Sequence, residues 1–225
     1  MTGPLIVAID GPSGAGKSSA ARALAARLGV PYIDTGAMYR AVGLAARDGG
    51  VALPILDADS VAAIAESARI ELVPTAEGNC VLLDGRDVSA AIREPEISLY
   101  ASAVSAIPAV RRALVAEQRR LGRERGGVME GRDIGTRVFP DTPFKFFLTA
   151  DAVVRAERRT RELADRGTPQ PYEDVLRDME KRDRDDGSRT DSPLTLDHRY
   201  VLIDSTGRPL PAVVEEIERH VREAI

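Results

Sequence analysis

The stretch that constrains this chain most is Ile9 to Gly29, IDGPSGAGKSSAARALAARLG, where a glycine-rich loop joins an apolar run to an alanine-rich helix. Gly11 to Ser18 fits G-x-x-x-x-G-K-[ST], with Gly11, Gly16, Lys17 and Ser18 at the defining positions. The glycines let the backbone turn its N–H groups inward, and the helix starting near Lys17 adds the positive end of its dipole. A lysine at this place reaches β- and γ-phosphates, and the hydroxyl after it is a Mg2+ ligand. The spacing therefore predicts a triphosphate cradle made by Gly11, Pro12, Ser13, Gly14, Ala15, Gly16, Lys17, Ser18 and Ser19. Of the 31 basic residues only Lys17, Lys145 and Lys181 are lysine, so a lysine inside this loop stands out against an arginine background.

Apolar runs alternate with helical patterns along the rest of the chain. Leu5 to Asp10 reads as a strand buried on both faces, and the helix after it carries Ala21, Leu24, Ala25 and Leu28 and stops at Gly29. A second strand–helix pair follows, PYIDTG then AMYRAVGLAARDGG, closed by paired glycines. Gly127 to Asp133, Phe144 to Ala150 and Arg199 to Ser205 are further strand candidates, with helices from about Asp151 to Arg166, Tyr172 to Asp186 and Pro211 to Ala224. This alternation predicts an α/β, three-layer fold with a central parallel sheet flanked by helices. From Ala58 to Val104 the rhythm breaks: a helix leads into RIELV, CVLLDG and RDVS around a Glu-Gly-Asn turn, the pattern of a small inserted antiparallel meander. The expected organisation is a core of 1–57 and 105–225 with 58–104 inserted, and a short lid at about 155–171 around the Gly/Pro-punctuated ADRGTPQPY.

Composition narrows the partners. A net charge of −4 gives no global pull toward nucleic acid or membrane, although a local basic cleft is compatible with it. Cys80 is the only cysteine, which excludes an intramolecular disulfide and a cysteine metal cluster and reads as a small buried hydrophobe. The start MTGPLIVAIDG lacks a cationic leader and a long apolar run, so a cytoplasmic protein is expected, with no membrane or nucleic-acid partner. A guanine reader of the Asn-Lys-x-Asp type is missing, because the one asparagine, Asn79, precedes Cys80. Asp204 to Gly207, DSTG, fits a D-x-x-G switch pattern but lies before the last helix, where it reads as a strand-end loop beside the adenine. The length is short for a motor, which favours a small phosphotransferase.

Three charged stretches are candidates for the acceptor side. In DTGAMYR, Thr35 can cap a helix with Tyr39 and Arg40 one turn along. In EGRDIG, Glu130 ends a strand where ligands gather in parallel sheets, placed to hold a Mg2+-bound water, with Arg132 and Asp133 toward an acceptor. In EKRDRDDGSRTDSP, Arg182, Asp186 and Arg189 fall at i, i+4 and i+7 on one face of a continuing helix, two guanidiniums around a carboxylate. Each stretch also has a plain reading: a capped helix, a strand-end ion pair and a solvated charged helix. RAERRTR offers Arg155, Arg159 and Arg161 as arginines that close over transferring phosphates, or simply a basic helix face.

Taken together, IDGPSGAGKSS, DTGAMYR, IREPEIS, EGRDIGTRVFPD and RDRDDGSRTDSPL, in that order, resemble the bacterial cytidylate kinases, a branch of the nucleoside monophosphate kinases. The resemblance runs from about Leu5 to Val221. It implies transfer of the ATP γ-phosphate to CMP or dCMP with Mg2+, by a monomer acting on small molecules. It further implies that Arg40, Arg132 and Arg189 hold the CMP phosphate, and that Ser102, Arg111 and Asp133 read the cytosine. Arg182 and Asp186 would contact the sugar, with Thr35 on the pyrimidine side of the pocket and Tyr39 also in the CMP site. Glu130 stands where many relatives carry aspartate. Competing expectations are another small kinase, for UMP, AMP or a non-nucleotide acceptor, and a nucleotide-binding regulator with little turnover.

Overall fold

The computed structural model describes residues 3–75 and 78–224. In chain order the first half holds β1 (Ile6–Asp10), α1 (Lys17–Leu28), β2 (Tyr32–Asp34), α2 (Thr35–Asp48), α3 (Ala58–Ser67), β3 (Ile70–Thr75), β4 (Gly78–Leu83) and β5 (Arg86–Asp87). The second holds α4 (Pro95–Ser105), α5 (Pro108–Arg125), β6 (Gly127–Glu130), β7 (Phe144–Thr149), α6 (Ala152–Asp165), α7 (Tyr172–Ser188), β8 (Val201–Asp204) and α8 (Leu210–Glu223). The main sheet has five strands in the order β2-β6-β1-β7-β8, and β3-β4-β5 form a separate three-stranded sheet. The chain divides into two compact units, one of Met1–Leu5 with Val30–Met129 and one of Ile6–Gly29 with Glu130–Ile225. Among the described residues, no single helix is long and apolar enough to cross a membrane.

The unit of Ile6–Gly29 and Glu130–Ile225 is built on parallel pairing. β1 runs parallel to β7 with Ile9 opposite Phe146, and β7 parallel to β8 with Phe146 opposite Val201. Val7, Ala8, Ile9, Phe146 and Leu148 are at most 1% exposed, as expected of strands covered on both faces. Each such large side chain stabilises the fold by about 1.5–3 kcal/mol. Lys145 is buried within β7 and donates to the Pro140 carbonyl, so this lysine is structural. α8 turns Val213, Val214, Ile217 and Val221 inward, and Arg27 of α1 reaches its Glu218 at 3.0 Å. α6 and α7 pack through Ala156, Leu163, Val175 and Met179.

The unit containing Val30–Met129 joins helices to the meander. β3 and β4 pair antiparallel from Ile70 opposite Leu83 to Thr75 opposite Gly78, and β5 adds Asp87 opposite Leu82. Gly78 and Asn79, expected in the turn, are strand residues, and Glu77 lies outside the described residues. The meander thus occupies less of the interrupted block than its sequence pattern suggests, because residues past β5 return to helix. A 3-10 turn at Ala91–Arg93 and then α4 and α5 follow, two helices absent from the sequence reading. Both start with proline as the first helical residue, Pro95 and Pro108, where the missing N–H costs nothing. Cys80 is half-buried rather than buried.

α2 and α4 approach closely at Gly43, where a Cβ would lie 3.0 Å from both Ala101 N and Tyr100 Cβ. Tyr100 in turn donates to the Val51 carbonyl at 2.8 Å, fixing the exit of α2. Gly43→Val should therefore cost about 2 kcal/mol by overpacking against backbone. In urea denaturation the midpoint should fall at unchanged slope, and an unmoved midpoint would mean that the helices can spread.

Candidate active site

The loop between β1 and α1 takes its shape from glycines in left-handed or extended positive-φ conformations: Gly11 at 146°, Gly14 at 75° and Gly16 at 90°. At Gly11 a Cβ would come within 2.0 Å of the Leu148 carbonyl oxygen, so only glycine lets the loop leave β1 beside β7. Gly16 caps α1 without any side-chain hydrogen bond, which leaves the first helical amides for a ligand. Lys17 is buried and donates to the Pro12 carbonyl at 2.7 Å, closing the loop on itself. Burial, then the charge of Arg132, pulls its amine down to about 7, with Arg182 acting the same way and Glu130 and Asp10 opposing.

Ser18 and Glu130, 112 residues apart in sequence, meet at this end of the loop: the Ser18 hydroxyl donates to Glu130 Oε2 at 2.9 Å. Both are hard oxygen donors at the foot of the phosphate loop. Such a pair fits Mg2+, which takes one or two protein oxygens and completes its shell with waters and substrate phosphates. β6 ends at Glu130, short of the Gly127–Asp133 strand expected from sequence. The following residues instead bend into a π-helical turn at Ile134–Val138. Asp10, fully buried at the end of β1, holds that turn by accepting from Ile134 N at 2.9 Å, Gly135 N at 2.8 Å and the Tyr200 hydroxyl at 2.7 Å. Burial pushes the Asp10 carboxyl up to about 6 against these three donors. A side chain at Gly135 would collide with Tyr200 Oη at 2.7 Å, so this turn too requires glycine. Asp133, immediately before it, is buried.

Beside this turn lies an arginine–carboxylate cluster. Asp186, 1% exposed on α7, accepts from Arg132 Nε at 2.8 Å and from Arg189. Burial alone would raise the Asp186 carboxyl, but Arg132, Arg189 and Arg182 together hold it below the usual carboxylate range. The expected grouping of Arg182, Asp186 and Arg189 is present with one correction. α7 stops at Ser188, and Arg189 is extended at φ −59° and ψ 138°, so it reaches Asp186 from beyond the helix.

The other unit assembles a second set. Asp34, not Thr35, caps α2: its extended backbone lets Oδ1 accept from Ala37 N at 2.9 Å, while Thr35 is already helical and buried. Asp34 Oδ2 also accepts from Arg93 Nη2 at 3.1 Å, tying the IREPEIS segment to the start of α2. Arg40 lies over Gly36, with Nη1 3.4 Å from where a Cβ would be. Arg111 of α5 is buried, stacks 5.6 Å from the Tyr39 ring centroid and donates to the Ser105 carbonyl at 3.3 Å. Ser102 is half-buried one turn earlier on α4, its carbonyl accepting from the Ser105 hydroxyl at 2.8 Å. Tyr39, Ser102 and Arg111 are thus drawn together from α2, α4 and α5.

The three arginines offered as closing residues differ. Arg155 is buried with fixed partners, Arg159 is paired with Glu162 at 2.9 Å, and Arg161 is exposed. Residues not singled out from the sequence also meet the loop: Arg158 donates to the Ser205 hydroxyl and carbonyl at 2.9 and 2.8 Å, and Ser205 donates to the Ala15 carbonyl at 3.0 Å. The one sequence signal for this contact was DSTG, which is indeed a strand-end turn.

A parallel sheet, a glycine loop opening onto a helix, and a serine–carboxylate pair at its foot define a nucleotide-binding protein of the P-loop class. The family model described as "Cytidylate kinase" matches residues 7–223. A cytidylate kinase of Caldanaerobacter subterraneus subsp. tengcongensis is 47% identical over 217 residues, covering 96% of this chain and 94% of its own. One from Geobacter sp. strain M21 is 47% identical over 224 residues, covering 98% and 94%. The chain belongs to the cytidylate kinase family. Among solved structures, an uncharacterized protein from Eubacterium ventriosum shares the fold at 14% identity and a TM-score of 0.55, over 97% of this chain and 98% of that one.

Proposed function

We propose that this protein transfers the γ-phosphate of ATP to CMP or dCMP, giving ADP and CDP or dCDP. The observation that carries this reading is the Ser18–Glu130 contact, which joins the phosphate loop to the strand end leading into Arg132 and Asp133. Lys17 and the loop Gly11 to Ser19, through its backbone N–H groups other than at Pro12, bind the donor phosphates. Ser18, and Glu130 through water, would hold Mg2+, which supplies positive charge to the β- and γ-phosphates. Arg132 and Arg189, with Arg40, neutralise the acceptor phosphate. Arg182 and Asp186 meet the sugar, Thr35 lines the pyrimidine side, and Tyr39 belongs to the same CMP site.

The acceptor phosphate is already an anion, so transfer needs alignment and charge neutralisation rather than a strong general base. Exclusion of water from the γ-phosphate then separates transfer from hydrolysis. Arg159 and Arg161 are the arginines left to close over the transferring group. Residues 58–104 serve as the monophosphate-binding insertion and 155–171 as the lid region, on a core of 1–57 and 105–225.

Base choice follows from donors and acceptors. Cytosine presents an N4 amine to the carboxylate of Asp133 and to Ser102, and N3 and O2 acceptors to Arg111. Uracil reverses the first contact and protonates N3, leaving buried groups unpaired. In an ADP-release assay CMP and dCMP should exceed UMP and AMP by about 100-fold or more in kcat/KM. Asp133→Asn should lower kcat/KM for CMP by roughly 10- to 100-fold and for poor acceptors much less. Equal losses for every acceptor would make Asp133 structural, and equal rates for UMP or AMP would sink the cytosine assignment.

A further inference from the structure

Three carbonyls of the phosphate loop accept from buried side chains. Lys17 takes the Pro12 carbonyl at 2.7 Å, Arg155 Nη1 the Ser13 carbonyl at 3.0 Å, and the Ser205 hydroxyl the Ala15 carbonyl at 3.0 Å. In a trans peptide the C=O and the next N–H point in opposite directions. Anchoring the Ser13 and Ala15 carbonyls therefore orients the Gly14 and Gly16 amides the opposite way, as an anion-binding concavity requires.

The anchors are themselves held firmly. Arg155 is 8% exposed, and its guanidinium also donates to the Ala150 carbonyl at 2.9 Å and to Asp183 Oδ2 at 2.6 Å. It thereby ties the end of β7, the loop apex and α7 to one planar group. Gly14 is pressed against the same place: a Cβ there would lie 2.8 Å from Met179 Cε and 3.0 Å from Arg155 Cβ. Ser205 is 4% exposed and is gripped by Arg158 through both its hydroxyl and its carbonyl.

We propose that Arg155, braced by Asp183, and Ser205, braced by Arg158, are positioning residues that pre-orient the loop amides for the donor phosphates. Arg155 on this account does not close over the transferring phosphate; it holds the loop from behind. The proposal rests on the donor reading of the loop and says nothing about the acceptor.

The test is binding of the non-hydrolysable analogue AMP-PNP with Mg2+ by calorimetry, alongside steady-state kinetics and thermal melts. Ser205→Ala, which removes only a hydroxyl, should raise the AMP-PNP Kd and the KM for ATP about 5-fold. Arg155→Ala should raise both about 10-fold or more, Asp183→Asn about 3-fold, and the Arg155→Ala/Asp183→Asn double variant no more than Arg155→Ala. Arg155→Lys, a compact ammonium without the planar fork that spans the three acceptors, should fall between wild type and Arg155→Ala. The Kd of CMP alone should stay within about 2-fold throughout. A kcat loss of about 100-fold in Arg155→Ala at unchanged AMP-PNP Kd would restore the closing role and overturn the assignment of Arg155. Lowered melting temperatures with unchanged Kd and KM in all variants would make the contacts merely structural. Should Arg155→Ala not fold, Ser205→Ala and Asp183→Asn decide alone. Wild type failing to bind AMP-PNP would sink the donor reading itself, whereas wild-type binding with indifferent variants sinks only this inference.

Discussion

Lys17→Ala should reduce kcat for CMP phosphorylation by about a thousandfold or more, while CMP binding measured without ATP stays within about 2-fold of wild type. The size follows from what the amine does in transfer. Charge develops over the β–γ bridge and the γ-oxygens, and groups aimed at that charge in a water-poor site are worth about 10²- to 10⁵-fold in rate. In the proposed mechanism Lys17 is such a group, with its amine already drawn into the loop by the Pro12 carbonyl at 2.7 Å. The variant should also keep its fold. Burial lowers the amine to about 7, well under its unfolded value, so the buried charge costs stability below pH 7 and that cost fades as pH rises toward 10.5. Removing the amine removes the cost, and the melting temperature without nucleotide at pH 7 should not drop by more than about 3 °C. Undiminished turnover would overturn the role of Lys17. Loss of CMP binding together with turnover would mean that the substitution damages more than the donor end.

Residues close together in sequence were the legible part of this protein. The loop from Gly11 to Ser18 states its own conformation, because glycine spacing, the strand before it and the helix after it are all local. α6, α7 and α8 were legible from periodicity to within a few residues of their observed ends. α4 and α5 were not: α4 carries the near-continuous apolar run ISLYASAV, and α5 dilutes Val110, Leu114, Val115 and Leu121 among arginines. Their starts at Pro95 and Pro108 were the available signal.

Contacts across the sequence stayed hidden for a different reason. Nothing in Asp10 marks it as the acceptor for a turn 124 residues later, and nothing in Arg158 marks it as the holder of Ser205. Such side chains stabilise through buried hydrogen bonds, and pairing of that kind leaves no period in the sequence. The cap of α2 illustrates the same limit at short range. Asp34 and Thr35 are both competent caps by composition, and the choice falls to Asp34 because its second oxygen has a use, the bond from Arg93 at 3.1 Å.

Arg132→Ala should lower kcat/KM for CMP by about a thousandfold while the Kd for AMP-PNP with Mg2+ changes less than about 5-fold. Arg132 adjoins both Glu130 and the α7 cluster, donating to Asp186 Oδ2 at 2.8 Å with that carboxylate 1% exposed. Burial alone would weaken its proton affinity, but Asp186, Glu130 and Asp183 raise it instead, so it remains charged at every accessible pH. Removing one member of a buried, hydrogen-bonded charge set costs about 3–5 kcal/mol, which corresponds to a loss of hundreds- to thousands-fold if it falls on acceptor binding. Part of that cost falls on folding, since Asp186 is left with Arg189 and Arg182 to balance its buried charge. Arg132→Lys separates the two effects. A lysine preserves the positive charge beside Asp186 and hence the fold, yet lacks the planar fork that grips carboxylate and phosphate together. It should melt within about 3 °C of wild type and recover no more than about 10-fold of the lost kcat/KM. Full recovery by lysine would reduce Arg132 to a point charge, and an unchanged KM for CMP in both variants would remove it from the acceptor site.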